Sequence, residues 1–249
     1  MKLFCMIFLI FSPIYADSSD DFMLAVKSGD ILKVRACVSR KKSLVNFKDK
    51  YHYTPLLYSV SINNLEIAEF LLHNGAKATY RNKNGETALI PAIGERNLAM
   101  IDLLLSYKAP LNKKNRQGAS PIFYAISEGD VSLVEYLVKR GADIEIKTKE
   151  GMTPLMWAVI NGHKEVVDFL IRQGAKIHIQ DKENMNLLMH AVESQNLELV
   201  RLMIRLKIDP DAKDIYQQNV LDFAKKTGNH DIIDVIENYL LVRRIYRRK

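Results

Sequence analysis

The chain of 249 residues has few of the side chains from which reaction centres are built. It contains two cysteines, six histidines and one tryptophan. The histidines form no His-x-x-x-His pair and no cluster with cysteine, so a metal site is not indicated. The sequence also has no glycine-rich phosphate loop and no Gly-x-Ser-x-Gly nucleophile motif. It therefore predicts a protein that is not an enzyme and takes no metal, no other cofactor and no small-molecule substrate.

Long hydrophobic runs are lacking as well. Leu3–Phe11 is an apolar run of nine residues, whereas a helix that spans a bilayer needs about 20. This run follows Lys2 and precedes Ala16 and the acidic Asp17, an order typical of a secretory signal peptide that is cleaved after Ala16. We therefore expect an exported protein, in the bacterial periplasm or secreted, without a membrane span. An uncleaved anchor is the alternative.

The chain does contain a strict internal repeat. Six similar tripeptides begin 33 residues apart, at positions 54, 87, 120, 153, 186 and 219. They are Thr54-Pro55-Leu56, Thr87-Ala88-Leu89, Ser120-Pro121-Ile122, Thr153-Pro154-Leu155, Asn186-Leu187-Leu188 and Asn219-Val220-Leu221. A seventh, weaker copy begins at Asp21. A period of about 33 residues is typical of a solenoid of stacked helical units.

The clearest unit runs from Glu150 to Ala175. It contains a glycine turn, Thr153-Pro154-Leu155, a first helix with alanine, the turn Asn161-Gly162-His163, and a second helix rich in valine and leucine. On these motifs the chain resembles the ankyrin-repeat family. The resemblance implies an all-α fold, an ankyrin-repeat solenoid of about seven helix-turn-helix units with β-turn fingers. It also implies a non-catalytic scaffold, expected to be a monomer, that binds another protein through its finger tips and concave helical face.

The period also divides the chain into units. The predicted segments are a signal peptide at 1–16, a degenerate N-terminal capping unit at 17–49, ankyrin repeats at 50–82, 83–115, 116–148, 149–181 and 182–214, a C-terminal capping unit at 215–242 and a basic tail at 243–249. Pro91 falls at about the fourth position of a first helix, where we expect it to remove a helix hydrogen bond. Arg96 and Gln195 replace the usual turn residue between two helices, so strained or altered turns are expected there. The last helix is expected to end near Leu241.

Two finger columns carry mainly basic side chains, and we call them the basic ladder. Its members are Lys48, Lys50, Arg81, Lys83, Lys114, Arg116, Lys147 and Lys149. Like charges stacked along one edge would attract a partner protein with an acidic surface and speed its encounter with the chain. The alternative is that these residues only maintain solubility, since acidic residues such as Asp49 and Asp181 interleave with them.

A second column lies on the first helices and contains aromatic residues. Tyr58, Tyr124 and Trp157 occupy it, with Met152 close by in sequence. Aromatic side chains supply much of the affinity at protein interfaces, and in the family this position faces the concave groove. These four residues are therefore candidate partner-binding residues, and Trp157 is the best anchor among them. The alternative is partial packing between neighbouring helices.

The net charge of +7 is concentrated at one end of the sequence, because five of the basic residues lie in 243–249. Two further hypotheses follow. The chain could be a secreted bacterial ankyrin effector that acts on host proteins, or a surface-associated protein that the basic tail holds to acidic lipid or polysaccharide. Binding of nucleic acid is unlikely for an exported protein.

Overall fold

The computed structural model describes residues 18–247, and these residues form helices joined by turns. The predicted signal peptide therefore lies outside the described residues. Fourteen α-helices occur in the described part: α1 Ser19–Lys27, α2 Ile31–Arg40, α3 Pro55–Ser61, α4 Leu65–His73, α5 Leu89–Gly94, α6 Leu98–Ser106, α7 Pro121–Ser127, α8 Val131–Lys139, α9 Pro154–Ile160, α10 Lys164–Arg172, α11 Leu187–Glu193, α12 Leu197–Arg205, α13 Val220–Thr227 and α14 His230–Arg247. A short 3-10 helix spans Lys42–Asn46. Between residues 18 and 247 no β-strand forms, and Gln180 and Asn186 make an isolated bridge.

The helices pack as seven successive pairs, which confirms the all-α solenoid. Each first helix contacts the first helix of the next unit, from α1 against α3 to α11 against α13. Second helices form the other layer, for example α2 against α4 and α12 against α14. One continuous apolar core runs between the two layers, from Phe22 to Ile236. Each unit thus covers the apolar face of its neighbour, as a repeat too small to have its own core requires.

Side-chain caps start most of the first helices. The Thr54 hydroxyl accepts a hydrogen bond from the Leu57 backbone N–H at 3.2 Å, and Thr153 caps α9 in the same way. Asn186 and Asn219 cap α11 and α13. Each cap satisfies one of the N–H groups that have no partner inside the helix. Proline at the first position of α3, α7 and α9 fits because that N–H is not needed.

Two of the first helices, α5 and α7, begin without the expected side-chain cap. Ser120 makes no cap hydrogen bond to α7, and its buried hydroxyl has no partner. In the next unit towards the N-terminus, α5 begins at Leu89 and its N-cap Ala88 offers no side-chain oxygen. Pro91 is therefore the third residue of α5, where an N–H has no acceptor inside the helix. The expectation that Pro91 removes a helix hydrogen bond is wrong for this reason.

The turns inside the helix pairs keep one shape throughout. Arg96 and Gln195 have φ of 53° and 55°, close to the 55° of Asn63 in the corresponding turn. The hydrogen bond of the turn is also kept, since Arg96 N donates to Ile93 O at 3.0 Å and Asn63 N to Val60 O at 2.9 Å. Stacking fixes the backbone, so Arg96 and Gln195 take the strain of a left-handed conformation. Lys108 and Lys207, with φ of 62° and 55°, do the same after the second helices.

Helix α14 differs from the other second helices. It has 18 residues, whereas α4, α6, α8, α10 and α12 have 9 each. The expected end near Leu241 is wrong, because the helix continues to Arg247 and includes the first part of the predicted basic tail. Among the described residues no helix is both long and apolar enough to cross a bilayer.

Candidate functional site

Each finger is built around one polar residue, and these residues recur every 33 positions. The side-chain oxygen of Asp49 accepts hydrogen bonds from the backbone N–H groups of Tyr51 at 2.9 Å and Tyr53 at 2.8 Å. The same pair of bonds, from the residues two and four positions later, occurs at Asn82, Asn115, Thr148, Asp181 and Asp214. We call these six the finger-organising residues.

The role of the finger-organising residues was not predicted. Asp49 and Asp181 were taken only as acidic residues that dilute the basic ladder. Their carboxylates instead hold the backbone of their own fingers. The recurrence of Asp, Asn or Thr at one place of the period is the signal that could have revealed this role, since these side chains bond to nearby backbone in turns.

Neighbouring fingers are joined by backbone hydrogen bonds. Lys83 N donates to Tyr51 O at 3.2 Å, and Arg116 N donates to Asn84 O at 2.9 Å. Further along, Lys182 N donates to Glu150 O at 2.9 Å. Backbone hydrogen bonds therefore join the fingers of Asp49, Asn82 and Asn115 into one group and those of Thr148, Asp181 and Asp214 into another. A partner would meet preorganised surfaces rather than separate loops.

The basic ladder is exposed along this edge, with one exception. The side chains of Lys48, Lys50, Lys83, Lys114, Arg116, Lys147 and Lys149 are exposed. None of these seven takes part in an ion pair within residues 18–247. Arg81 differs because it is half-buried: its Nε donates to Gly85 O at 2.8 Å and its Nη2 to Lys114 O at 2.7 Å. Arg81 thus links two fingers.

In three units, a ring nine residues after the finger-organising residue braces the finger. The Tyr58 hydroxyl donates to Asp49 Oδ2 at 2.8 Å, and burial together with this bond raises the pKa of Tyr58 to about 12. The Tyr124 hydroxyl accepts from Asn115 Nδ2 at 2.9 Å, and burial raises the pKa of Tyr124. His190 is the third brace.

His190 and Asp181 form a buried pair between α11 and its finger. His190 Nε2 lies 2.9 Å from Asp181 Oδ2, and each side chain is 2% exposed. Burial lowers the pKa of His190, but the interactions with the Asp181 and Glu193 carboxylates together outweigh it, so the pKa is raised overall. His190 Nδ1 makes no hydrogen bond and lies 3.8 Å from the Glu193 carboxylate. This Asp–His pair was not predicted, although its spacing of nine residues matches that of Asp49 and Tyr58.

Trp157 breaks the bracing pattern. It lies nine residues after Thr148, but its Nε1 donates to Ser127 Oγ of the preceding unit at 2.9 Å. Its ring meets Phe123 edge to face, with centroids 5.9 Å apart. The indole is half-buried. Its orientation is therefore fixed by two neighbours, while part of the residue remains accessible.

Trp157 lies between two grooves on the side of the first helices. One groove, of about 260 Å³, is also lined by Phe123 and Tyr124. The other, of about 550 Å³, is also lined by Met152 and Met185. The structure thus brings Tyr124, Met152 and Trp157 together around one surface and leaves Tyr58 apart from these grooves. We call Tyr124, Met152 and Trp157 the aromatic patch.

The chemistry of this surface suits binding. Among residues 18–247, no group of three or more histidine, cysteine, aspartate or glutamate side chains is placed to hold a metal ion. The larger groove is mainly apolar, although the buried Asp181 and His190 also line it, and its exposed charged residues are Lys149, Glu150, Lys182, Glu183 and Glu193. An apolar centre with a charged rim is the usual composition of a protein interface.

The fold and this surface together define a helical repeat scaffold. The ankyrin-repeat family model for three copies matches residues 77–148, 110–181, 130–214 and 155–240, and the single ankyrin-repeat model matches residues 51–83. These matches cover more than half of the chain, which therefore belongs to the ankyrin-repeat family. Its repeats identify it as a protein–protein interaction scaffold.

One curated relative is similar over part of the chain. The chain is 34% identical over 64 residues to the ankyrin repeat, SAM and basic leucine zipper domain-containing protein 1 of Rhinolophus ferrumequinum. The similar segment covers 26% of this chain and 13% of that protein. The chain thus spans a small part of the relative's length.

Proposed function

We propose that this chain is a non-catalytic, monomeric scaffold that binds one partner protein through its concave face, with the aromatic patch as the anchor and the basic ladder as the rim. The observation that carries the proposal is the position of Trp157, half-buried between two grooves. Tryptophan is enriched among residues that dominate binding energy, and such residues lie near the centre of an interface.

The fixed orientation of Trp157 supports its role as an anchor. The hydrogen bond to Ser127 satisfies the indole N–H, so a partner can cover the ring without leaving a buried donor unpaired. The edge contact with Phe123 also restricts the ring before binding. A side chain that is ordered in the free protein loses less conformational entropy on association. Tyr124 is held in the same way by Asn115.

The basic ladder favours a partner whose surface is acidic. Its seven exposed cationic residues project from fingers whose backbones are hydrogen-bonded in two groups of three, so the fingers within each group have a fixed spacing. Exposed rim charges act mainly on the association rate, and salt screens them over about 10 Å at 0.1 M. We therefore expect the ladder to set the rate and salt dependence of binding, and the aromatic patch to set the dissociation rate.

Export is part of the same proposal. It depends on the order of Lys2, Leu3–Phe11 and Ala16 in the sequence, and it implies a partner in the periplasm or outside the cell. Fractionation of cells that express the chain, with N-terminal sequencing of the recovered protein, tests it. Recovery only from the cytosol with Met1 intact would refute this part of the proposal. Retention in the periplasm of the native organism would argue against delivery to a host cell.

Affinity capture from the compartment in which the chain is found tests the binding surface. Trp157→Ala should lose the captured partner, whereas Tyr58→Phe, outside both grooves, should retain it. Reversal of charge at Lys114, Arg116, Lys147 and Lys149 should slow association at low salt. The matched control reverses four exposed charges away from the ladder, at Arg172, Arg201 and Arg205 on the second helices and at Lys176 just after α10. Equal capture by the Trp157→Ala variant and the unaltered chain would overturn the proposal.

A further inference from the structure

The last turns of α14 extend beyond the repeat. The second helices of the five preceding units end at His73, Ser106, Lys139, Arg172 and Arg205. The corresponding position of the last unit is Asn238 by the period of 33, yet α14 continues to Arg247. We call residues 239–247 the helix extension. At about 1.5 Å per residue, it adds roughly 13 Å of helix to the end of the solenoid.

The helix extension presents an apolar face away from the core. Leu241, Val242, Ile245 and Tyr246 are 56%, 49%, 51% and 73% exposed. Their spacing of one, four and five positions places them on one side of the helix. In the earlier turns of α14, by contrast, Ile232 and Ile236 are fully buried against the repeat. The apolar side of the helix thus changes from the core to solvent at Leu241.

An ion pair fixes this orientation. Arg243 Nη1 lies 3.4 Å from the Asp209 carboxylate and 3.5 Å from that of Asp211. Arg243 therefore faces the body of the solenoid, and the opposite side of the extension faces outward.

One described basic residue lies beside the apolar face, and three more follow it in the sequence. Arg244 is exposed and makes no ion pair with the rest of residues 18–247. Arg247, Arg248 and Lys249 follow in the sequence. Leucine, isoleucine and tyrosine on one side of a helix with arginine beside them is the composition of helices that lie in the interface of a bilayer. Arginines near such a surface bind the headgroups of anionic lipids.

We propose that the helix extension is an interfacial anchor that binds a membrane surface rich in anionic lipid. The site is independent of the aromatic patch, so a membrane-bound chain would keep its protein-binding surface. Charge complementarity favours lipid over a second copy of the chain: two copies meeting through this face would bring their arginines together. Four side chains are also few for a stable dimer interface, which usually takes about 20 residues or more from each side.

Cosedimentation with vesicles tests this anchor. The full chain is mixed with vesicles of phosphatidylcholine alone or of phosphatidylcholine with phosphatidylglycerol. One variant combines Leu241→Ser, Val242→Ser, Ile245→Ser and Tyr246→Ser. A second combines Arg244→Gln and Arg247→Gln. All of these proteins contain the apolar run Leu3–Phe11, so any lipid binding by that run is the same in each. A difference between them therefore reports on the substituted side chains. The control combines Arg201→Gln and Arg205→Gln on α12, which removes the same charge elsewhere.

We expect the unaltered chain and the α12 control to sediment with the vesicles that contain phosphatidylglycerol. The serine variant should stay in the supernatant. Each arginine near an anionic surface contributes about fivefold to binding, so the glutamine variant should bind about 30-fold more weakly. Circular dichroism should show all variants folded, because the apolar side chains that are changed are exposed and lie outside the core.

Three outcomes would overturn the proposal. They are no binding of the unaltered chain to either vesicle, equal binding to both vesicles, and equal binding of the serine variant and the unaltered chain. Sedimentation equilibrium without lipid tests whether this face instead joins two copies of the chain. A dimer that the serine substitutions dissociate, in a chain that binds neither vesicle, would assign the face to that contact.

Discussion

The buried pair of Asp181 and His190 predicts how the stability of the repeat depends on pH. Their hydrogen bond of 2.9 Å opposes the effect of burial on both groups. Burial raises the pKa of Asp181 and lowers that of His190, but the pairing prevails, so the pKa of Asp181 is lowered and that of His190 is raised. The Glu193 carboxylate, 3.8 Å from His190 Nδ1, acts in the same direction on the histidine.

The two shifts define a pH window. The raised pKa of His190 contributes stability that is complete below its unfolded pKa of about 6.5 and is lost as the pH rises through its folded pKa. The lowered pKa of Asp181 contributes stability above its unfolded pKa of about 3.9, and this is lost as the pH falls through its folded pKa. Both contributions are therefore complete between about pH 4 and pH 6.5.

Asp181→Asn isolates this contribution. Asn82 and Asn115 organise their fingers with an amide oxygen, so asparagine at 181 should keep the two backbone hydrogen bonds. It removes the charge that faces His190. Breaking one side of a buried ion pair costs about 3–5 kcal/mol, and loss of the histidine proton limits that cost. We expect the free energy of unfolding to fall by about 2–3 kcal/mol at about pH 5.5 and by under about 1 kcal/mol at pH 9.

Chemical denaturation followed by circular dichroism across this pH range measures the effect. Asp214→Asn is the matched control, because Asp214 organises its finger in the same way but has Phe223 nine residues later. The control should show no difference that follows the titration of a histidine. The reasoning fails if Asp181→Asn is equally destabilising at both pH values, or more so at the higher one.

Three further predictions, which use five substitutions, test the fold by denaturation of each variant beside the unaltered chain. Lys207→Gly should stabilise by about 0.5–1 kcal/mol, since a side chain in the left-handed region costs about 1–2 kcal/mol and glycine removes that cost; a destabilised variant would contradict this. Thr54→Ala should cost about 1 kcal/mol through the lost cap, whereas Ser120→Ala should be neutral or stabilising because its buried hydroxyl has no partner; equal costs would refute the assignment of the caps. Gly118→Ala should cost more than Gly75→Ala, because a Cβ at 118 would lie 2.5 Å from backbone of the next finger while nothing lies within 4 Å at Gly75; the reverse order would contradict the stacking of the fingers.

The helix pairs could be predicted from the sequence because the same local constraints recur in every unit. Threonine or asparagine caps, proline at the first helical position and a left-handed turn residue fix the start of the first helix and the turn that follows it. Even Arg96 could be placed in its turn, since the neighbouring units leave that backbone no other path. Pro91 was misplaced because α5 begins later than the period suggests, and a helix start is set by its capping groups.

The surface was harder to predict because its contacts join residues of different units. Arg81 belongs to the basic ladder by period, yet it contacts Lys114 O one unit away, which a sequence pattern does not specify. The end of α14 was also misjudged, although neither glycine nor proline follows Leu241 to stop the helix. At Arg81 and in the last turns of α14 the basic residues are evident from the sequence. The role of each one depends on which neighbour it contacts.

The neighbour that each side chain contacts also explains why the aromatic patch lies in the middle units. A carboxylate or amide at the finger-organising position has a second polar atom, which holds the ring nine residues later, as Asp49 holds Tyr58 and Asp181 holds His190. Thr148 has one hydroxyl oxygen, and it already accepts from two backbone N–H groups. Trp157 is therefore released from its own finger and bonds to Ser127 of the preceding unit. Threonine at this one place in the period thus converts a structural brace into an accessible tryptophan between two grooves.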